Sequence, residues 1–195
     1  KSIYAHGWWL VGENKMSKSV GNVVNPMELA NKYGVDAFRY FLLSEMSLGQ
    51  DASFTEEAFI QRYNTDLAND LGNFLNRVTK FILKLENPII PEYKEEDPFD
   101  EEFKIEVLSA VEGMKNSITG MKLDKGIESV LGAVRAGNRF LEKTAPWKLL
   151  KDGNFKRLDS VLYCAAEALR IISGLLFPIM PEKSMMIRES LGIAD

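Results

Sequence analysis

The sequence predicts a mainly α-helical protein: an antiparallel helix bundle preceded by a short β segment, a lysine-bearing loop and two short helices. Three observations carry this. Prolines fall at positions 26, 88, 91, 98, 146, 178 and 181 and leave long proline-free stretches between them. Those stretches repeat apolar residues at three- and four-residue intervals, the spacing of one helix face. Several of them open on a residue able to cap a helix N-terminus. Apolar residues at 46% and charged residues at 27% exclude a disordered or collagen-like chain. No apolar run approaches the roughly 18 residues needed to span a bilayer. A single cysteine, Cys164, excludes an internal disulfide framework and a Cys-based zinc site, so no zinc is expected in this chain. A single histidine, His6, confines any Ser-His-Asp chemistry to its own surroundings.

Taken in order, Ile3-Tyr4-Ala5-His6 and Trp8-Trp9-Leu10-Val11 are rich in aromatic and β-branched residues around Gly7 and read as strand. Gly12-Glu13-Asn14 is a turn signal, and the polar run from Lys15 to Asn22 reads as a loop. Asn25-Pro26 opens a short helix, with Asn25 as cap, Pro26 at the first helical position and Glu28 three residues after the cap. Gly34 stops it. A second short helix runs from about Asp36 to Met46, with Ala37, Tyr40, Phe41 and Leu43 inward, and Gly49 to Ser53 reads as loop.

The bundle follows. Thr55 caps a helix, with Phe54 and Phe59 placed for a hydrophobic staple. Helical pattern continues to about Leu85, with a break suggested near Asn64. Its stripe is Leu67, Leu71, Phe74, Leu75, Val78, Ile82 and Leu85. The segment from Pro88 to Pro98 is a connector. The next helix, Glu101 to Met121, carries Ile105, Leu108, Val111, Met114 and Ile118, and Asp124 is the expected cap of the one after it, with Ile127, Val130, Leu131, Val134 and Leu141. Pro146 ends or kinks that helix. Asn154 caps a strongly amphipathic helix holding Leu158, Val161, Leu162, Ala165, Leu169, Ile172, Leu175 and Leu176, and a last short helix ends at Gly192. Short connections make an up-down bundle the expected arrangement. The chain divides into residues 1–53 and a helical bundle, residues 54–195.

The net charge is −4, but it is unevenly spread. Between Glu86 and Glu106 nine acids face two lysines, so the rest of the chain is net positive. From Ala133 to Lys151 five basic residues, Arg135, Arg139, Lys143, Lys148 and Lys151, accompany one acid, Glu142. Local charge rather than total charge governs attraction to phosphate.

Lys15-Met16-Ser17-Lys18-Ser19 carries the most chemistry. Two lysines three apart on a hydroxyl-rich loop can converge on one anion, since lysine is a mobile point charge with three donors. Such a loop suits charge moving onto a leaving pyrophosphate. The pentapeptide resembles the signature loop of class I aminoacyl-tRNA synthetases. His6-Gly7-Trp8-Trp9, Gly21-Asn22-Val23-Val24, Tyr33-Gly34-Val35-Asp36-Ala37, Arg39-Tyr40, Asp66-Leu67-Ala68-Asn69-Asp70-Leu71-Gly72-Asn73 and Ala145-Pro146-Trp147 resemble the methionyl-tRNA synthetases, in order and over nearly the whole chain. A slight departure is Asn25, where Asp is common before the proline.

The resemblance implies the end of a catalytic region plus an anticodon-binding helical domain, in a cytoplasmic enzyme that uses methionine, Mg2+-bound ATP and tRNA(Met), with no membrane partner. It assigns Lys18 to stabilising the triphosphate in the activation transition state, Lys15 to a supporting cation, and Ser17 and Ser19 to loop shape and phosphate contact. The family's upstream His-Ile-Gly-His-like motif and a glycine-rich nucleotide fingerprint are missing, so the chain alone is expected to be inactive. Alternatives are another class I synthetase, such as the leucyl, valyl or cysteinyl enzyme, and a non-catalytic tRNA-binding helical module.

Asn73 and Arg77 are four apart and share a helix face. Asparagine and arginine suit the Watson–Crick edge of an unpaired base, and Trp147, projecting beside Pro146, suits stacking. The resemblance gives these three the recognition of the CAU anticodon. Asp36 and Arg39 are spaced for a local ion pair, Met114, Met121, Met180, Met185 and Met186 read as core filler, and Cys164 as a buried small hydrophobe.

Overall fold

The computed structural model of the protein describes residues 6–11, 14–17 and 24–193. Strand β1 (Trp9–Val11) pairs antiparallel with β2 (Asn14–Lys15). After α1 (Pro26–Tyr33) and α2 (Val35–Glu45), β3 (Ala52–Ser53) returns to pair parallel with β1, giving the order β2-β1-β3. Residues 3–5 of the expected strand, and Gly12 and Glu13 of the turn, lie outside the described residues. Ala52–Ser53 falls in a stretch that reads as loop. Two residues show no periodicity, and their strand character comes from β1: Ala52 N–H donates to Trp8 O at 3.0 Å and Phe54 N–H to Leu10 O at 2.7 Å.

Asn25 caps α1 as its position requires. Its side-chain oxygen accepts from Met27 N–H, and its amide donates to Glu28. Leu29, Ala37, Phe41, Phe54 and Phe59 form a small apolar cluster, and Trp9 packs on it against Phe41 and Phe54.

Helix α3 (Glu56–Arg62) starts at Thr55, whose hydroxyl accepts from Ala58 N–H. At Tyr63 the chain does not break, as the sequence suggests near Asn64. It widens into a π-helical segment, Tyr63–Gly72, and tightens again into α4 (Asn73–Ile82). The wide turns carry Asp66 inward. There its carboxylate is buried and accepts from Tyr40 Oη at 2.9 Å, with Arg62 at 3.3 Å and Arg135 at 3.6 Å. Burial, then the Asp66 charge, holds the Tyr40 phenol well above its ordinary pKa.

The bundle is completed by α5 (Pro98–Thr119), α6 (Leu123–Thr144), α7 (Pro146–Lys151), α8 (Phe155–Leu176) and α9 (Pro181–Ser190). Leu71, Phe74 and Val78 of the long helix meet Leu158, Leu162, Leu169 and Ile172 of α8 and the inward residues of α6 in one core. The expected stripe of α5 differs from the observed one. Phe103, Val107, Ala110 and Met114 are buried, whereas Ile105, Leu108 and Ile118 are exposed. Both sets are spaced by three and four, so spacing alone cannot choose between them. The stacked Phe103–Phe140 rings, 4.4 Å apart, belong to the buried set.

Three polar expectations also change. Asp124 does not cap α6, which begins after Lys122; its carboxylate accepts from Ser47 Oγ instead. Asp36 and Arg39 form no ion pair with each other. Asp36 accepts from Lys183 N–H at the start of α9, and Arg39 donates to the Pro178 and Ile179 carbonyls. Together they fasten α9 to α2. Met114 and Met180 are core residues, but Met185 and Met186 are exposed. Cys164 is a partly buried free thiol, pushed up to about 12 mainly by burial. No helix among the described residues is long and apolar enough to cross a membrane.

Candidate functional site

The lysine loop is described only at its start. Lys15 ends β2 and is exposed, and Met16 N–H donates to Trp9 O at 3.3 Å, which joins the loop to the small sheet. Ser17 is partly buried. Lys18 and Ser19 lie outside the described residues. His6 is exposed, with its Nδ1 2.6 Å from the Gly7 carbonyl oxygen, and faces no catalytic partner among the described residues.

The second candidate group lies where α4, α6 and α7 meet. Asn73 opens α4 exactly where the π winding ends, and Arg77 follows one turn later on the same face. Asn73 is exposed and Arg77 partly buried. The face rests on a close helix crossing. A Cβ at Gly137 would lie 2.3 Å from the Phe74 ring, so only glycine lets α6 approach α4 this closely. The next residue, Asn138, uses that proximity. Its amide donates to Asp70 O in the π segment at 3.0 Å, and its oxygen faces Arg77 Nη1 at 3.4 Å.

Trp147 reaches the same corner. Ala145 takes a left-handed conformation, φ 45° and ψ 62°, which turns the chain out of α6. Pro146 then starts α7, its fixed φ suited to a first helical position. The corner therefore presents Trp147 in the first turn of a new helix, not at the end of the old one. Its indole is 44% exposed, and the Arg77 guanidinium carbon is 6.0 Å from the ring centroid. Glu142 stands 3.7 Å from Arg77 Nη1 but is itself largely exposed. The structure thus brings Arg77 and Trp147 together, with Asn73 a turn away.

Asn138 is the residue that sequence reasoning missed. Its signal was faint: a polar side chain next to Gly137 on an otherwise buried helix face.

The basic run behaves differently from its appearance in the sequence. Arg135 pairs with Asp70 and Glu128, Arg139 with Glu106 at 2.6 Å, and Lys143 with Glu102 at 3.1 Å. The hydrogen bond to Asp70 leads in raising the Arg135 pKa. Two acids of the acidic block, Glu102 and Glu106, are therefore matched across the α5–α6 seam. Lys148 and Lys151, on α7 beside Trp147, are exposed and enter no ion pair among the described residues. A concavity of about 750 Å3 between α5 and α8 contains none of the candidate residues. Among the described residues no group of three or more His, Cys, Asp or Glu is placed to hold a metal ion.

The family model described as tRNA synthetases class I (M) matches residues 1–79. The methionine–tRNA ligase of Halalkalibacterium halodurans is 41% identical over 195 residues, 99% of this chain and 30% of that protein. The methionine–tRNA ligase of Bacillus subtilis is 40% identical over 197 residues, again 30% of its length. The chain is thus similar to methionine–tRNA ligases over 99% of its length. Mycobacterium tuberculosis methionyl-tRNA synthetase in complex with methionyl-adenylate superposes with a TM-score of 0.90 at 34% identity, over 95% of this chain and 37% of that one. The free-state form of the same synthetase gives 0.84 at 32% identity, over 88% of this chain and 35% of that one. The chain thus spans about a third of the relatives it matches. The mainly helical bundle with its small sheet matches the corresponding part of the methionyl-tRNA synthetase structures.

Proposed function

We propose that this chain is the part of a methionine–tRNA ligase that carries the lysine loop and reads the CAU anticodon of tRNA(Met). In that reaction the methionine carboxylate attacks the α-phosphorus of Mg2+-bound ATP and pyrophosphate leaves, and a tRNA hydroxyl then takes the methionyl group from the adenylate as AMP leaves. Residues 1–53 supply Lys18 to stabilise charge on the leaving pyrophosphate, Lys15 as a supporting cation, and Ser17 and Ser19 to shape the loop and contact phosphate. Residues 54–195 supply Asn73, Arg77 and Trp147. By itself the chain does not activate methionine, because the motif that pairs with the loop is not in this sequence. The same reading places the whole enzyme in the cytoplasm.

The observation that carries the anticodon reading is the convergence of Arg77 on Trp147 across two helices, one turn from Asn73. An exposed indole gives an unpaired base a stacking surface, and the guanidinium and amide offer donors to its edge. Methionine, ATP and tRNA(Met) as substrates rest on the relatives at about 40% identity and on the methionyl-adenylate held by the Mycobacterium tuberculosis enzyme.

The test is a titration of the 195-residue chain with anticodon stem-loops carrying CAU or GAU. CAU should bind more tightly, and Asn73→Ala or Arg77→Ala should shrink that preference while leaving the fold intact by circular dichroism. Equal affinity of the wild-type chain for CAU and GAU would remove the assignment.

A further inference from the structure

The lysine loop does not leave the sheet unsupported. Along β1, successive side chains alternate faces. Trp9 points into the apolar cluster against Phe41 and Phe54, which puts Trp8 on the outer side, where it is 58% exposed. In the β1–β2 register Lys15 lies opposite Leu10, so Trp8 is its diagonal neighbour on the same face. Diagonal neighbours are within reach of aromatic and long side chains. The Lys15 ammonium sits 3.1 Å from the Trp8 ring centroid.

The backbone that carries the indole is held from behind. The Trp8 main-chain N–H donates to Asp51 Oδ1 at 2.6 Å, and the Trp8 carbonyl accepts from Ala52 N–H at 3.0 Å. Gly7 makes this approach possible, since a Cβ there would lie 2.1 Å from the Gln50 carbonyl oxygen. A strand that sequence reads as loop therefore sets the position of an exposed aromatic ring, and that ring holds the first lysine of the loop.

We infer that Trp8 is a positioning residue for Lys15, docking its ammonium so that it meets the ATP triphosphate from a preset rotamer. The inference rests on the proposed role of Lys15 as a supporting cation. A lysine on a flexible stem loses rotamer freedom when it binds an anion, and holding it beforehand reduces that cost. An indole suits the task because it attracts the ammonium without cancelling its charge, and weakly enough at an exposed site for phosphate to compete.

Two measurements test this. In the 195-residue chain the Lys15 ε-methylene protons should show an upfield ring-current shift that Trp8→Ala abolishes and Trp8→Phe keeps in part. In the full-length enzyme, Trp8→Ala should lower kcat/KM for ATP in pyrophosphate exchange about 2–5-fold, the effect of losing one exposed cation–π contact. The KM for methionine and the Tm should not change, and Trp8→Phe should recover most of the loss. Lys15→Ala should lower the rate by a smaller factor in the Trp8→Ala background than in the wild type, since the two residues act through one contact. Unshifted Lys15 protons, or full ATP efficiency in Trp8→Ala beside a defective Lys15→Ala, would overturn the inference. Full ATP efficiency in Lys15→Ala would instead remove the role proposed for Lys15, and with it the function of a contact that the ring-current shift still records.

Discussion

The α5–α6 seam and the α4–α7 corner both contain basic residues that the sequence presents as candidates for phosphate, but they differ in what those residues face. At the seam Arg139 meets Glu106 and Lys143 meets Glu102, and beside it Arg157 is buried against Asp100 through two hydrogen bonds of 2.7 Å. Tyr93 adds a hydroxyl to Asp100, and Ser160 Oγ accepts from the Lys94 and Glu95 amides, so the acidic connector is fastened onto α8. At the corner the polar groups are held at one end and open at the other. Arg77 leans on Asn138 and Trp147, Asn73 is exposed, and Lys148 and Lys151 flank them. Charge abundance therefore marks assembly in one region, and incomplete pairing around an exposed ring marks the candidate interface in the other.

The hardest break to that comparison is at Arg157. Arg157→Ala leaves the Asp100 carboxylate buried without its cation and should cost about 3–5 kcal/mol of folding stability. Urea unfolding of the variant measures it. Selectivity for CAU, read under conditions where the variant is folded, should be unchanged; altered selectivity would mean that the seam takes part in recognition.

Trp147→Ala should do the reverse. Stem-loop affinity should fall by about 1–3 kcal/mol through lost stacking, with stability within about 0.5 kcal/mol of wild type because the indole is half exposed. Isothermal titration beside thermal unfolding separates the two readouts. A large loss of Tm with affinity retained would make Trp147 a packing residue of the seam's kind.

The smallest and sharpest contrast is between two cations. Lys148→Ala should lower the slope of log K against log salt by about one, as expected when one phosphate contact is lost. Arg139→Ala should leave that slope alone and change stability by only about 0.2–1 kcal/mol, the range for an exposed ion pair. If Arg139→Ala flattens the salt dependence as much as Lys148→Ala, the ion pair with Glu106 opens for RNA and the distinction between the two regions fails.

The sequence by itself was enough to place the helices other than α7, the caps at Asn25, Thr55 and Asn154, and the core stripes of α6 and α8, because these are set by local rules of spacing and backbone capping. The order of short motifs around Lys15 and Asn73 was likewise enough to point to the family. Tertiary structure decided what local rules leave degenerate. Which of two equally spaced stripes of α5 turns inward depended on Phe140 and its neighbours. The continuation of the long helix through a π segment accompanied a buried Asp66 facing Tyr40 and Arg135, residues distant in sequence. Asp36 and Arg39 went to α9 rather than to each other because the Lys183 N–H in α9's first turn and the carbonyls before the helix lay within reach. The partners of the basic run, the support of Arg77 by Asn138 and the hold of Trp8 on Lys15 are all contacts made across elements, and their strength depends on distance and burial, quantities that exist only once the chain has folded.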